Sequence, residues 1–137
     1  MRYWDSSAVV PLIADEQASE SVRRVYAGDP EVAVWWATQV ECVSTLVRKE
    51  RAGDLDPAAL DAALGRLELL KAEWTEVEPS EAVRALSLRF LRVHPLRAAD
   101  ALQLAAATVI AEGLPFLTLD DGLAAAARRE GFPVEGL

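Results

Sequence analysis

A chain of 137 residues, 52% hydrophobic and 26% charged, can bury a core as one domain without covalent staples, and residues 1–137 are expected to form a single domain. Cys42 is the only cysteine and His94 the only histidine, which excludes an intramolecular disulfide and a zinc site built from Cys and His. The net charge of −8 has the wrong sign for a nucleic-acid binder, unless clustered acids hold divalent cations and so turn the site locally positive.

Arg2, Tyr3 and Trp4 form an aromatic strand closed by Asp5, Ser6 and Ser7. A short apolar helix follows over residues 8–14, with Asp5 or Ser6 as its N-cap and Pro11 acceptable if it falls in the first turn. Residues 16–27 suit a second helix, ended by Gly28-Asp29-Pro30. Val32, Ala33, Val34, Trp35 and Trp36 form a second strand, on which the adjacent tryptophans must face opposite sides. A helix opens at Thr38 and runs to Ala52, with Gly53 at the C′ position. Asp56-Pro57 pairs an N-cap with proline at the first helical position, starting a helix to about Ala72. Residues 74–78 are a short strand. Ser80 caps a helix to Val93, interrupted by His94-Pro95, and the helix after it extends to Glu112. Residues 116–119 make a strand, 123–130 a last helix stopped by Gly131, and 132–135 an edge strand.

Short apolar strands alternating with helices imply an α/β fold. The expected architecture is a three-layer α/β/α sandwich with a mostly parallel central sheet. No run reaches the roughly 18 apolar residues of a membrane span, and Asp5 interrupts any signal-peptide core. A cytoplasmic protein without a membrane partner is expected.

The segment 96–111 is nearly all Ala and Leu, yet it carries Asp100. A carboxylate in such surroundings needs a compensating partner or an edge position beside a cleft. Ligand clefts in parallel sheets lie beyond the carboxyl ends of the strands. Asp5 and Asp120 each end a strand, Glu41 lies one turn into the helix after the second strand, and Asp100 enters the same edge. Each acid also has a plain structural explanation. Asp5 and Asp120 suit N-caps, Glu41 follows Thr38 at capping-box spacing, and Asp100 lies three residues after Arg97. If the four meet instead, their mutual repulsion calls for cations. All-oxygen ligands suit Mg²⁺ or Mn²⁺, and such ions activate water against a phosphodiester.

Tyr3-Trp4-Asp5-Ser6-Ser7-Ala8-Val9-Val10, Glu41 at the head of its helix, Arg97-Ala98-Ala99-Asp100-Ala101-Leu102-Gln103-Leu104-Ala105 and Phe116-Leu117-Thr118-Leu119-Asp120-Asp121-Gly122-Leu123-Ala124 together resemble the PIN-domain ribonucleases. More narrowly they resemble the VapC toxins of type II toxin–antitoxin systems. The resemblance runs from Tyr3 to Gly131 and rests on the order and spacing of the segments, since no single one is specific. It implies that Asp5, Glu41, Asp100 and Asp120 are catalytic metal ligands, with Ser7 and Thr118 as supporting hydroxyls. Asp121 is a possible substitute for Asp120, but the spacing Thr118, Asp120, Leu123 favours Asp120. The family further implies Mg²⁺- or Mn²⁺-dependent endonucleolytic cleavage of an RNA substrate, a homodimer, and a cognate antitoxin whose tail covers the acidic groove.

Two rivals remain at this point. An aspartyl phosphatase would carry Asp-x-Asp after the first strand, where this chain has Ser7. A catalytically inert PIN-like binding module usually lacks acids, and all four are present. The basic run from Arg89 to Arg97 is read as a solvated helix face, Arg48, Lys49 and Arg51 as cations that offset a helix dipole, Cys42 as a small buried hydrophobe, and His94 as structural.

Overall fold

The structure, a computed structural model, describes residues 1–111 and 113–135. Among them the elements run β1 (Arg2–Trp4), α1 (Ser6–Ile13), α2 (Ser19–Gly28), β2 (Val32–Trp35), α3 (Thr38–Arg51), α4 (Pro57–Lys71), β3 (Thr75–Val77), α5 (Glu81–Val93), α6 (Ala98–Ile110), β4 (Phe116–Leu117), α7 (Asp121–Arg129) and β5 (Val134–Glu135). The five strands are all parallel in the order β3-β2-β1-β4-β5, so β1 is central.

The two-residue period of the strands decides the layering. Tyr3, Ala33, Trp35 and Phe116 face one side and pack with Val83, Phe90, Leu104 and Leu123. Trp4, Val32, Val34 and Leu117 face the other and meet Val9, Ile13, Cys42, Leu46 and Leu67. Helices α1 to α4 therefore cover one face and α5 to α7 the other, the three-layer sandwich expected from the sequence. Trp35, the last residue of β2, is core, whereas Trp36, expected on the same strand, lies just past its end and is 49% exposed.

Local signals place the helix ends. Asp56 Oδ1 accepts the Ala59 N–H at 2.7 Å with Pro57 at the first helical position, and Ser80 Oγ accepts that of Val83 at 3.2 Å. Gly53 and Gly131 close α3 and α7 with φ of +84° and +90°, a conformation that favours glycine.

Several local details differ from expectation. Pro11 is the sixth residue of α1 rather than part of its first turn, so the bond its N–H would have made to the Ser7 carbonyl is lost. Helix α2 starts at Ser19 and not Glu16, because the Ser19 hydroxyl organises a turn. It accepts the Glu16 N–H and donates to the Ala14 carbonyl, both at 2.8 Å. Strand β4 stops at Leu117 because Thr118 and Leu119 are drawn into contacts with Ser7. Glu112, to which the sequence extended α6, lies outside the described residues.

Candidate active site

Asp5 follows the last residue of β1, at the carboxyl end of the central strand. It occupies the N-cap position of α1, and its carbonyl accepts the Ala8 and Val9 N–H groups at 3.1 and 3.2 Å. Its side chain makes no capping bond. Oδ1 instead accepts the Ser7 hydroxyl at 2.8 Å. The residue is 4% exposed, and burial pushes its carboxyl up to about 7 against the opposing pull of the Ser7 and Thr118 hydroxyls, with the Glu41 charge adding to the rise.

The exit of β4 is tied to the start of α1. Ser7 Oγ lies 3.2 Å from Thr118 Oγ1 and accepts the Leu119 N–H at 2.8 Å. Thr118 Oγ1 accepts the Asp120 N–H at 3.0 Å. Asp120 is the true cap: its Oδ1 accepts the Leu123 N–H at 2.8 Å, which is why α7 begins at Asp121 rather than Leu123. One carboxylate oxygen of Asp120 is thus committed to the helix. Asp121, already inside α7, is exposed.

Glu41 forms no capping box with Thr38. The N-cap of α3 is Ala37, without a side-chain cap bond. The Glu41 carboxylate is held from both sides instead: Oε1 accepts the Ser6 hydroxyl and Oε2 the Gln103 amide, each at 3.1 Å. Burial raises its pKa against those two bonds, and Asp100 repels it further.

Asp100 stands in the first turn of α6, half-buried, just before Ala101, from which all but Leu102 are buried as far as Ala107. This is the edge position its apolar neighbours demanded. Burial raises its carboxyl first and the Asp120 charge second, opposed by the Arg97 backbone and, more weakly, the Arg97 guanidinium. Among the described residues neither Asp100 nor any of the other three acids has an ion-pair partner within 4.0 Å, so the expected Arg97 pairing does not form.

The electrostatic couplings form a chain: Asp5 feels Glu41, Glu41 feels Asp100, and Asp100 feels Asp120. The proton affinities of Asp5, Glu41 and Asp100 are raised, each in part by a neighbouring acid, and Asp120 supplies the charge that acts on Asp100. Beside Glu41 opens a cleft of about 370 Å³ bordered by Ser6, Thr45, Arg48 and Ala99. A larger hollow of about 460 Å³ lies between α5 and α6, lined by Trp35, Leu88, Leu91 and Leu102, and contains none of the four acids.

A family model described as PIN domain matches residues 2–129. The chain belongs to the PIN domain family. Solved structures similar to this PIN domain include a toxin–antitoxin complex from Klebsiella pneumoniae, 16% identical, covering 99% of this chain and 97% of that one with a TM-score of 0.69. Mycobacterium tuberculosis VapC20, described as a sarcin–ricin loop cleaving toxin, is 15% identical over 92% of this chain and 95% of its own, with a TM-score of 0.72. FitAcB from Neisseria gonorrhoeae is 18% identical over 99% and 97%, with a TM-score of 0.70. At such identities the likeness establishes a shared fold. No curated protein sequence matches the chain.

The donor chemistry of this PIN site fits a hard divalent cation. Its candidate ligands are carboxylate oxygens, three of them with proton affinity raised by burial and by one another, and bound positive charge reverses that balance. No three of the side chains form a ready cage among the described residues. Asp120 is turned to its cap and Glu41 to Ser6 and Gln103. The sequence offers Ser6 only as a possible N-cap and marks neither Gln103 nor Tyr3 as a supporting residue. The available signal was Gln103 itself, an amide in an otherwise Ala- and Leu-rich helix, three residues after Asp100. Cys42 is fully buried, with its thiol pushed up by burial, and plays no part at this edge.

Proposed function

We propose that this PIN domain is a divalent-metal-dependent endoribonuclease acting as the toxin of a toxin–antitoxin pair. Asp5 carries the reading. It is an acid at the end of the central strand, 4% exposed, that neither caps its helix nor meets a cation, and its pKa is pushed to about 7. A protein retains such a group against its cost in stability when a ligand compensates the charge.

Asp5, Glu41, Asp100 and Asp120 would hold Mg²⁺ or Mn²⁺. When bound, the ion supplies an activated water and neutralises charge on the attacked phosphate. The chain's own residues orient the site. Ser7 fixes one oxygen of Asp5, Thr118 anchors the turn into Asp120, and Ser6 with Gln103 aims Glu41. The solved relatives described as toxins and toxin–antitoxin complexes support an antitoxin partner. A homodimer would bury the exposed Leu88, Leu91 and Val93 of α5.

The test is cleavage of a structured RNA by purified protein with Mg²⁺ or Mn²⁺, then with EDTA. Cleavage that needs the cation and disappears in Asp5→Asn and Asp100→Asn supports the proposal. Parental rates in both variants would sink it.

A further inference from the structure

Gln103 is 1% exposed on the sheet-facing side of α6, and each of its polar atoms has a partner. Its Oε1 accepts the hydroxyl of Tyr3, itself fully buried on β1. One amide hydrogen goes to Thr38 Oγ1 at 3.2 Å and the other to Glu41 Oε2 at 3.1 Å. The amide cannot be turned over without setting its oxygen against the Glu41 carboxylate, and the Tyr3 hydroxyl, a donor, holds it in this sense. The bridge spans the two helical layers, from α6 on one face to α3 on the other.

Core packing alone does not ask for this arrangement. Phenylalanine at position 3 and an apolar residue at 103 would fill the same space without the cost of burying polar atoms. The buried chain ends on a half-buried carboxylate at the candidate active site, whose other oxygen is held by Ser6 at 3.1 Å.

We infer that Gln103, oriented by Tyr3, is a positioning residue that holds the Glu41 carboxylate in the direction required to meet a divalent ion. This rests on the proposed metal-dependent reading and adds to it a dedicated support for one ligand. Outer partners of metal-binding groups typically govern affinity in this manner.

The test is Mn²⁺ titration of the full chain, followed by calorimetry or by loss of the free-ion paramagnetic signal, for Gln103→Met, Tyr3→Phe, Glu41→Ala and the Gln103→Met/Glu41→Ala double variant. Gln103→Met is expected to weaken Mn²⁺ binding by about tenfold and Tyr3→Phe by less. Once Glu41 is alanine, the Gln103 substitution should have no further effect, since a residue that works through Glu41 has nothing left to position. Parental affinity in Gln103→Met alongside a weakened Glu41→Ala overturns the inference. An equal loss with and without Glu41 does so too, because it marks general loosening of the fold. If Gln103→Met does not fold, Tyr3→Phe, which deletes one oxygen, decides by the same comparison. Absence of Mn²⁺ binding by the parental protein removes the metal reading itself. The Glu41 rotamer in a crystal structure of Tyr3→Phe then decides the positioning: a carboxylate turned away supports it, and one left in place refutes it.

Discussion

The hydroxyls of Ser7 and Thr118 stand 3.2 Å apart, joining the first turn of α1 to the exit of β4 across 111 residues of chain. Ser7 Oγ also bonds Asp5 Oδ1. Between the two hydroxyls either can donate, while the Thr118 oxygen also accepts the Asp120 N–H. Two small hydroxyls thus fix the spacing of Asp5 and Asp120.

Ser7→Ala leaves Asp5 Oδ1 without its donor and the Leu119 N–H without its acceptor. The expected cost is about 1–2 kcal/mol of stability, together with a several-fold higher Mg²⁺ concentration for half-maximal cleavage. Thr118→Ser, which keeps the hydroxyl, should retain both properties. Urea denaturation and a Mg²⁺ titration of RNA cleavage check the pair.

Asp5 makes stability depend on pH in a direction opposite to a salt-bridged acid. Its folded pKa is raised from 3.8 to about 7, so the folded state holds a proton that the unfolded state has already lost. Stability of the metal-free protein is therefore highest below pH 4 as far as this group is concerned. It falls as pH rises from 4 to 7, and levels off above. A displacement of that size corresponds to at most about 4 kcal/mol. In EDTA, Asp5→Asn should match the parent near pH 4 and exceed its stability at pH 8. A parent that gains stability over Asp5→Asn as pH rises contradicts this account of the site.

Arg48 borders the cleft that contains Glu41 and Ser6. Among the described residues its guanidinium is bonded only to neutral acceptors on its own helix, the Ser44 carbonyl at 3.4 Å and Thr45 Oγ1 at 3.2 Å. In an otherwise acidic chain this leaves it able to meet a phosphate. Arg48→Ala should weaken RNA binding several-fold and lower the slope of log affinity against log salt by about 0.7. Fold stability should be little changed. Filter binding at three salt concentrations measures the slope.

His94 is 5% exposed, and its Nε2 lies 2.7 Å from Glu130 Oε2, joining the end of α5 to the end of α7. Among the described residues its ring makes no hydrogen bond or ion pair with any of the four acids. His94→Ala should cost about 1–3 kcal/mol by depriving the half-buried Glu130 carboxylate of its partner, while cleavage per folded molecule stays at the parental rate. A thermal melt and a cleavage assay on the same preparation separate the two effects.

Much of this molecule was legible from local chemistry. Alternating strand residues such as Tyr3 and Trp4 or Val34 and Trp35 determined the two packed faces, because the period of a strand leaves no other choice. Asp56-Pro57, Ser80, Gly53 and Gly131 marked helix ends through backbone bonds that need only a few neighbouring residues. Asp100, an acid in an alanine helix, announced an edge. What capping pattern could not reveal is which acids cap: Asp5 and Asp120 are both N-cap residues by position, and only Asp120 caps with its side chain. Thr38 and Glu41 had capping-box spacing, yet Glu41 points elsewhere.

Those choices belong to the tertiary structure, because each is a competition with a partner distant in sequence. Ser7, tied to Thr118 and Leu119 from 111 and 112 residues away, claims Asp5 before the helix can, and Gln103, 62 residues away, claims Glu41. The sequence alone determined the sandwich and named the acids at its carboxyl edge, since periodicity and composition are local properties. Which oxygens face the cleft was decided only when β1, α3, α6 and β4 packed together, because hydrogen bonds form between atoms that folding brings within 3 Å or so of each other.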